Sequence, residues 1–352
     1  MPSRPDRPPP PNMGRFFPEL AEGFERLLGA VKGRSVVVIG HARPDGDCIG
    51  SQVALSRMLS ARGSPSVCAN PDAVPRRLAF AARGTAFIRT EEALRLPEDT
   101  LAVFVDCADH ARAGERFRQR FQSPAGNIDH HLSNSAFAAI NIVDSGSAAS
   151  CEILAGLFID AGIPIDASTA SALFTGIVTD TGQFRFNSTS QRTFILAGEL
   201  VARGASPPEA GYELYERESS GKLRLLQQFL ASLTMECGGR VCVGTLAPNA
   251  FEATGTTAED TEGLVDFARS IDGVEIGVLI EERRDGGVKA SLRAKDPLCR
   301  LDLAAGQFGG GGHACAAGLN QKKANGDFRE RLLEVLLERL RIADAERAKP
   351  GA

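Results

Sequence analysis

Four of the chain's five histidines fall in dense polar or glycine-rich clusters. The first cluster is His41-Ala-Arg-Pro-Asp45-Gly-Asp47-Cys-Ile-Gly-Ser51, where one imidazole and two carboxylates share a short loop. Pro44 and Gly46 bend that loop so that the side chains converge, and Gly50 lets a helix and a strand approach closely. The second is Asp106, a carboxylate delivered by the apolar run Leu101-Ala-Val-Phe-Val. The third is Asn127-Ile-Asp129-His130-His131-Leu-Ser-Asn134, and an aspartate beside two imidazoles is expensive to bury without partners. The fourth is Thr179-Asp180-Thr181-Gly182-Gln-Phe184-Arg185, where Asp180 closes a largely apolar helix that Gly182 stops. Taken singly, the first cluster also reads as a turn followed by an Asp N-cap, and Asp106 as a helix cap. Together, His41, Asp45, Asp47, Asp106, His130 and Asp180 offer two nitrogens and four carboxylates, one of them free to bridge. Two divalent ions about 3.5–4 Å apart suit this set, and hard carboxylates mixed with imidazole favour Mn²⁺ over an all-thiolate zinc site. Such a centre generates hydroxide and holds the phosphoryl oxygens of an in-line displacement, so phosphoester or phosphoanhydride hydrolysis is the expected chemistry.

A second polar constellation lies far along the chain, at Gly309-Gly-Gly-Gly312-His313-Ala-Cys-Ala-Ala317-Gly318. A glycine run serves either as a flexible linker or as a backbone N–H nest for an anion. This one sits inside a patterned region between Phe308 and His313, which favours the nest. On the preceding predicted strand, Lys289, Ser291 and Arg293 alternate with Val288, Ala290 and Leu292. That spacing puts a cation, a hydroxyl and a guanidinium on one face, which also reads as the wet side of a sheet.

The elements that must carry these residues follow from hydrophobic periodicity. A helical pattern over 17–31 precedes the apolar run 35–40, then a helix over 48–61 and short strands near 66–69, 101–105 and 126–128. The alternation predicts a doubly wound, mainly parallel α/β domain whose strand ends present the clusters. Helices follow at 151–161, 168–178, 192–201, 208–215 and 222–233, the later ones forming a helical connector. A smaller α/β domain follows, with strands at 240–245, 274–283 and 287–294, a helix at 260–270, a turn at Asp285-Gly286 and a final helix over 328–345. The expected division is a Pro-rich tail at 1–14, a catalytic domain at 15–190, a connector at 191–235 and a second domain at 236–346.

Composition narrows the function. With 43% hydrophobic and 24% charged residues the chain reads as folded and water-soluble, and 352 residues suit two domains. A net charge of -4 argues against holding long nucleic acid by phosphate neutralisation but allows a short anionic substrate. With no Trp and two Tyr, base stacking would fall to Phe or Arg. Eight cysteines without a C-x-x-C pair indicate reduced thiols in a cytoplasmic setting. No apolar run reaches the roughly 20 residues of a membrane span, so no membrane partner is expected.

In this order the four clusters resemble motifs I to IV of the DHH phosphoesterase superfamily, named for the triplet Asp129-His130-His131. The glycine segment 309–318 is similar to the DHH-associated domain. Among its branches the chain looks most like the bacterial nanoRNase and pAp phosphatase group. That group degrades very short oligonucleotides and removes the 3′-phosphate of 3′-phosphoadenosine 5′-phosphate (pAp). The resemblance implies that His41 and Asp45 bind one Mn²⁺, that Asp47, His130 and Asp180 bind another, and that Asp106 bridges them. Mg²⁺ or Co²⁺ are the substitutes. It further implies that Asp129 orients neighbouring ligands and that His131 lies near the scissile phosphate, so Asp106, Asp129, His130 and His131 form the catalytic set. Arg293, Ser291, His313 and the loop Gly309, Gly310, Gly311 and Gly312, with Lys289 on the same face, would bind the distal end of the substrate. Three positions depart from the family pattern: Cys48, where a small residue is usual, Cys107, where Ser or Thr is common, and Ala294, where serine is frequent. His110 reads as an exposed bystander starting a helix. The expected activity is hydrolysis of short oligoribonucleotides to 5′-mononucleotides, and of pAp to AMP. The rivals are a cyclic-dinucleotide or linear dinucleotide phosphodiesterase and a non-catalytic nucleotide-binding protein. The connector offers a surface for a homodimer.

Overall fold

A computed structural model of the chain describes residues 14–323 and 326–349. Apart from Gly14, the Pro-rich tail expected at 1–14 lies outside the described residues. The chain divides into two compact units, Met1–Arg217 and Glu218–Ala352.

The first unit contains α1 (Ala21–Val31), β1 (Val36–Ile39), α2 (Gly46–Ala61), β2 (Ser66–Asn70), β3 (Phe87–Arg89), α3 (Thr90–Ala93), β4 (Leu101–Val105) and α4 (Glu115–Arg120). It continues with β5 (Gly126–Asp129), β6 (Ile140–Val143), α5 (Ser150–Asp160), α6 (Ala167–Asp180), α7 (Gln191–Ala202) and α8 (Pro207–Gly211). Its six strands lie in the order β3-β2-β1-β4-β5-β6, and every neighbouring pair is parallel. The all-apolar β1 is buried on both faces: Val36 and Val38 enter one core, Val37 and Ile39 the other. Chain order reverses between β1 and β4, which opens a crevice at the carboxyl ends of these central strands.

Several local expectations shift. The first helix starts at Ala21 instead of residue 17, since a proline follows Phe17 and the residue before proline avoids helical dihedrals. Phe16 and Phe17 instead donate their amides to Asp160, at 2.8 Å each. Strands β3 and β6 went unanticipated because three or four residues show no clear period. Residues 191–235 form no separate connector. Leu196, Leu200, Ala210 and Leu214 join the core of the first unit, and Leu225 and Phe229 join a core of the second.

The second unit contains α9 (Ser220–Ala231), β7 (Thr234–Glu236), β8 (Val241–Leu246), α10 (Ala250–Thr254), α11 (Leu264–Ser270) and β9 (Ile276–Glu282). Then come β10 (Val288–Ala294), α12 (Leu301–Gly306), β11 (Gly311–His313), β12 (Ala316–Gln321) and α13 (Phe328–Arg347). Its sheet runs β11-β12-β10-β9-β8-β7, with β8 and β9 parallel and the other pairs antiparallel. Val288, Ala290 and Leu292 face a core shared with α12 and α13, which leaves Lys289, Ser291 and Arg293 on the opposite face, as their alternation predicts. All eight cysteines are free thiols. Among the described residues no helix is long and apolar enough to cross a membrane.

Candidate active site

Each cluster takes its position from one element. His41 follows β1, Asp106 follows β4, Asp129 ends β5, and His130 and His131 enter the next loop, so the central crevice gathers them. Asp45 is the N-cap of α2, which starts at Gly46, two residues before the expected Cys48: its Oδ1 accepts the Cys48 amide at 3.0 Å. Asp47 lies in the first turn of α2, and Asp180 is the last residue of α6, where Gly182 at φ +54° ends the helix. The two helices pack antiparallel at close range. A Cβ on Gly46 would meet Thr179 Oγ1 at 2.4 Å, and one on Gly50 would meet the Ala172 carbonyl oxygen at 2.4 Å. Gly50 therefore admits a helix, not the strand expected, and this contact aligns Asp47 with Asp180.

Asp106 is the hub. One carboxylate oxygen, Oδ2, lies 3.2 Å from His41 Nε2; the other, Oδ1, lies 3.5 Å from His130 Nε2 and 3.7 Å from His131 Nδ1. On the first side Asp45 Oδ1 approaches His41 Nε2 at 3.7 Å. On the second, His130 Nε2 faces Asp180 Oδ2 at 3.3 Å and Asp47 Oδ2 at 3.9 Å. The carboxylate of Asp47 is fully buried and accepts the amides of Ser150 and Cys151 at 2.7 and 2.8 Å, at the N-terminus of α5. Asp129 joins the set through His131: it holds His131 Nδ1 at 2.7 Å and accepts from Asn134 Nδ2 at 2.6 Å.

Sequence reasoning missed the supports beneath these groups. Asn127 and Asn134 both donate to the Cys107 carbonyl, at 3.1 and 3.3 Å, and so pin the backbone just after Asp106. Asn134 lies within the third motif, but no periodicity shows that its partner is a backbone carbonyl in the loop after β4. His110 is not exposed: it is half-buried, stacked on Phe137 with ring centroids 5.0 Å apart and edge-on to Phe104.

The electrostatics call for cations. Burial, reinforced by Asp106, pushes the Asp47 carboxyl above its ordinary value, and burial together with Asp47 and Asp45 does the same to Asp180 against its bond to His130. Burial works against charge on His130, yet Asp180, Asp47 and Asp106 raise it to about 10. Burial likewise opposes charge on Asp45, but His41 holds that carboxyl low, at about 2. Two donor groups are compact enough to share an ion, Asp47 with His130 and Asp180, and Asp106 with His130 and His131; a third joins His41 and Asp106 to the Cys48 sulfur. Imidazole and carboxylate donors with buried, mutually repelling negative charge fit divalent cations.

In the second unit the expected substrate residues are placed differently from one another. Lys289 Nζ is ion-paired with the buried Glu281 at 2.7 Å, and Arg293 Nη1 donates to the Leu292 carbonyl at 3.1 Å. The amides of Gly309 and Gly310 donate to Gly306 and Ala305, closing α12, so these two are already engaged and do not form the expected nest. Gly311, Gly312 and His313 pair with Gly318, Ala317 and Ala316 as a short hairpin. A Cβ on Gly310 or Gly312 would meet the Gly318 or Ala316 carbonyl at 2.3 or 2.4 Å, so close backbone approach demands glycine there.

Residues 35–177 match the DHH family, N-terminal domain, and residues 238–341 match the DHHA1 domain. The bifunctional oligoribonuclease and PAP phosphatase NrnA of Thermus thermophilus is 32% identical over 316 residues, covering 89% of this chain and 92% of that protein. The chain belongs to the DHH family. Within it, the NrnA of Bacillus subtilis is 27% identical over 296 residues, 81% of this chain and 88% of that protein. An exopolyphosphatase-related protein from Bacteroides fragilis shares the fold at a TM-score of 0.84 and 22% identity, covering 93% and 98% of the two chains. RecJ from Thermus thermophilus, in complex with Mn²⁺, shares it at 0.56 and 14% identity, covering 94% of this chain and 56% of RecJ. The two matched segments fall one in each compact unit.

Proposed function

We propose that the protein is a two-metal phosphoesterase that hydrolyses short oligoribonucleotides to 5′-mononucleotides and pAp to AMP. The observation that carries this reading is the placement of Asp106, which turns one oxygen to His41 and the other to His130 and His131. His41, Asp45 and Asp106 would hold one ion, and Asp47, His130, Asp180 and Asp106 the other, Mn²⁺ being the expected metal. Bound there, divalent ions activate water and offset the charge that builds on a phosphoryl group. The remaining work belongs to side chains. Asp129, which burial alone would push up, is held below its ordinary value by His131 and Asn134, so it stays an acceptor and fixes the orientation of His131. Held so, His131 Nε2, the nitrogen opposite its Asp129 contact, would face a phosphoryl oxygen. In the second unit Ser291, Arg293 and His313 would bind a substrate group, with Lys289 supporting less because Glu281 already neutralises it. The two activities for which the NrnA relatives are named, oligoribonuclease and PAP phosphatase, support the two substrates.

The test uses metal-stripped protein, with and without Mn²⁺, given an RNA pentamer, pAp and cyclic di-AMP in parallel, with products resolved by chromatography. Mn²⁺-dependent release of nucleoside monophosphates from the pentamer, and of AMP from pAp, is the expected result. Cleavage of the cyclic dinucleotide alone would replace the substrate assignment, and inertness towards all three would leave a nucleotide-binding protein.

A further inference from the structure

Beyond Asp180 the chain enters α7, which none of the four motifs includes and which lies outside the family match at 35–177. Its second residue, Arg192, turns back into the first unit. The guanidinium donates through Nε to Glu152 Oε1 at 2.9 Å, and through Nη2 to Asp144 Oδ2 at 2.7 Å and Ser147 Oγ at 3.0 Å. Its flat face covers the Phe17 ring, 4.3 Å from the centroid. Glu152 is fully buried, and its other oxygen accepts the Ala148 amide at 2.9 Å and the Thr193 hydroxyl at 3.0 Å. The Ser147 hydroxyl closes the set by donating to Asp144 Oδ2 at 2.7 Å. One guanidinium thus fastens the turn from β6 into α5, residues 144–152, at three acceptors.

That turn is also the back wall of the donor cluster. The Ser147 carbonyl lies 3.4 Å from His130 Nδ1, the nitrogen remote from the carboxylates. The Ser150 and Cys151 amides hold Asp47, and the Ser150 hydroxyl reaches Asp106 Oδ1 at 3.4 Å. The partner of a histidine's second nitrogen sets the orientation of the ring, and such outer contacts are worth about 10–100-fold in metal affinity or activity.

We propose that Arg192 is a positioning residue for the metal centre: its planar fork sets the turn 144–152, and the turn sets His130, Asp47 and Asp106. This rests on the metal-centre reading above. Arginine is required because three acceptors in different directions are met by one rigid group, which a lysine ammonium on a flexible stem does not reproduce.

Arg192→Ala would strand the buried Glu152 charge and lose the fold for that reason alone. The test therefore uses Arg192→Lys, which keeps the charge, and the double variant Arg192→Gln/Glu152→Gln, which removes the pair. Folding is checked by circular dichroism, Mn²⁺ uptake by the paramagnetic resonance signal of the free ion, and turnover with a short oligoribonucleotide. Folded variants should bind Mn²⁺ about 10–100-fold more weakly and lose kcat at limiting metal, with KM for the oligonucleotide within about twofold of wild type. Mn²⁺ affinity within about twofold of wild type in a folded variant overturns the proposal, even with a lowered melting temperature, since that is the signature of a plain structural anchor. Failure of both variants to fold assigns Arg192 to the scaffold and overturns it as well. If wild-type protein takes up no Mn²⁺, the metal-centre reading fails and takes the proposal with it. If Mn²⁺ binds but RNA is not cleaved, only the substrate assignment fails and the Mn²⁺ titration still decides.

Discussion

Asp106 combines two unusual properties. It sits at φ +56°, in the left-handed region that costs a non-glycine residue of order 1–3 kcal/mol, and it faces three imidazoles. Its surroundings hold it there: its own amide donates to the Ile128 carbonyl at 2.9 Å, and the next carbonyl receives Asn127 and Asn134. Asp106→Ala should lower hydrolysis by at least about 10²-fold with the far-ultraviolet circular dichroism unchanged; a variant with near-normal initial rates would rule out the bridging role. Asn134→Ala leaves both Asp129 Oδ2 and the Cys107 carbonyl short of a donor. A loss of about 10–100-fold in kcat is expected, and a rate equal to wild type would show that the orientation of His131 does not depend on Asn134. That the six proposed donors converge was legible in the sequence, because buried carboxylates and imidazoles in tight loops are costly without a shared purpose. Asn127, Asn134 and Arg192 were not, since an amide or guanidinium near a motif reads the same whether it meets water or a distant carbonyl. His110 misled for a related reason, its aromatic neighbours Phe104 and Phe137 being assembled only by the fold.

Among elements, the closest working contact is that of α2 with α6. Alanine inside a helix is ordinarily better than glycine by about 1 kcal/mol, so the sign of Gly50→Ala is informative. A methyl group 2.4 Å from the Ala172 oxygen should force the helices apart, destabilise by about 1–3 kcal/mol in urea titrations, and weaken Mn²⁺ binding as Asp47 and Asp180 separate. A stabilised Gly50→Ala protein would show that the contact is looser than described. In the second unit, α13 is tied to the sheet through charge: Arg240 bonds Glu275 and Asp344, and Arg347 bonds Glu275, Asp296 and Asp344. The Arg240 side chain holds the carboxyls of Glu275 and Asp344 below their ordinary values; for Asp296 the Leu298 amide does most of this, with Arg347 adding to it. Groups with depressed folded values lend stability that is complete above their unfolded values, about pH 4, and lost as pH falls through the folded ones. Protection of the α13 amides, corrected for the intrinsic exchange rate at each pH, should stay level from pH 7 to pH 5 and fall below about pH 4, with Arg240→Gln/Arg347→Gln removing the acid step. An unchanged acid step in that variant would assign the transition to other carboxylates. Most of the long strands and helices were legible from their periods, though β12 was not, its small residues reading as the continuation of a glycine loop. The short β3, β6 and β11 were not, for they exist by pairing with a neighbour, and in β11 glycine carries no strand preference at all.

At the scale of the whole chain, the division of labour is uneven. Every proposed metal donor lies between His41 and Asp180, within the first compact unit, while the second unit carries the remaining candidate contacts. Saturating Mn²⁺ should therefore slow amide exchange around β1, β4, β5 and the start of α2, and leave residues 218–349 as they were, because a ligand stabilises what binds it. Protection confined to the second unit would move the metal centre. That the chain holds two units was legible from its length and from the change of pattern along it. Where they divide was not, since the helices between 191 and 235 look alike in sequence and only their buried faces show to which core each belongs.

The parallel order of the first sheet has a consequence in time. Because β1, β4 and β5 present their ends to one crevice and Asp180 completes the donors from α6, more than half of the 352 residues must leave the ribosome before the cluster can close. A nascent chain halted before α6 carries most of the carboxylates but not the helix that aligns them. On the proposed function, the crevice is inert while the messenger RNA being read lies close by, and competence to cut RNA would arrive only when synthesis has moved well past it.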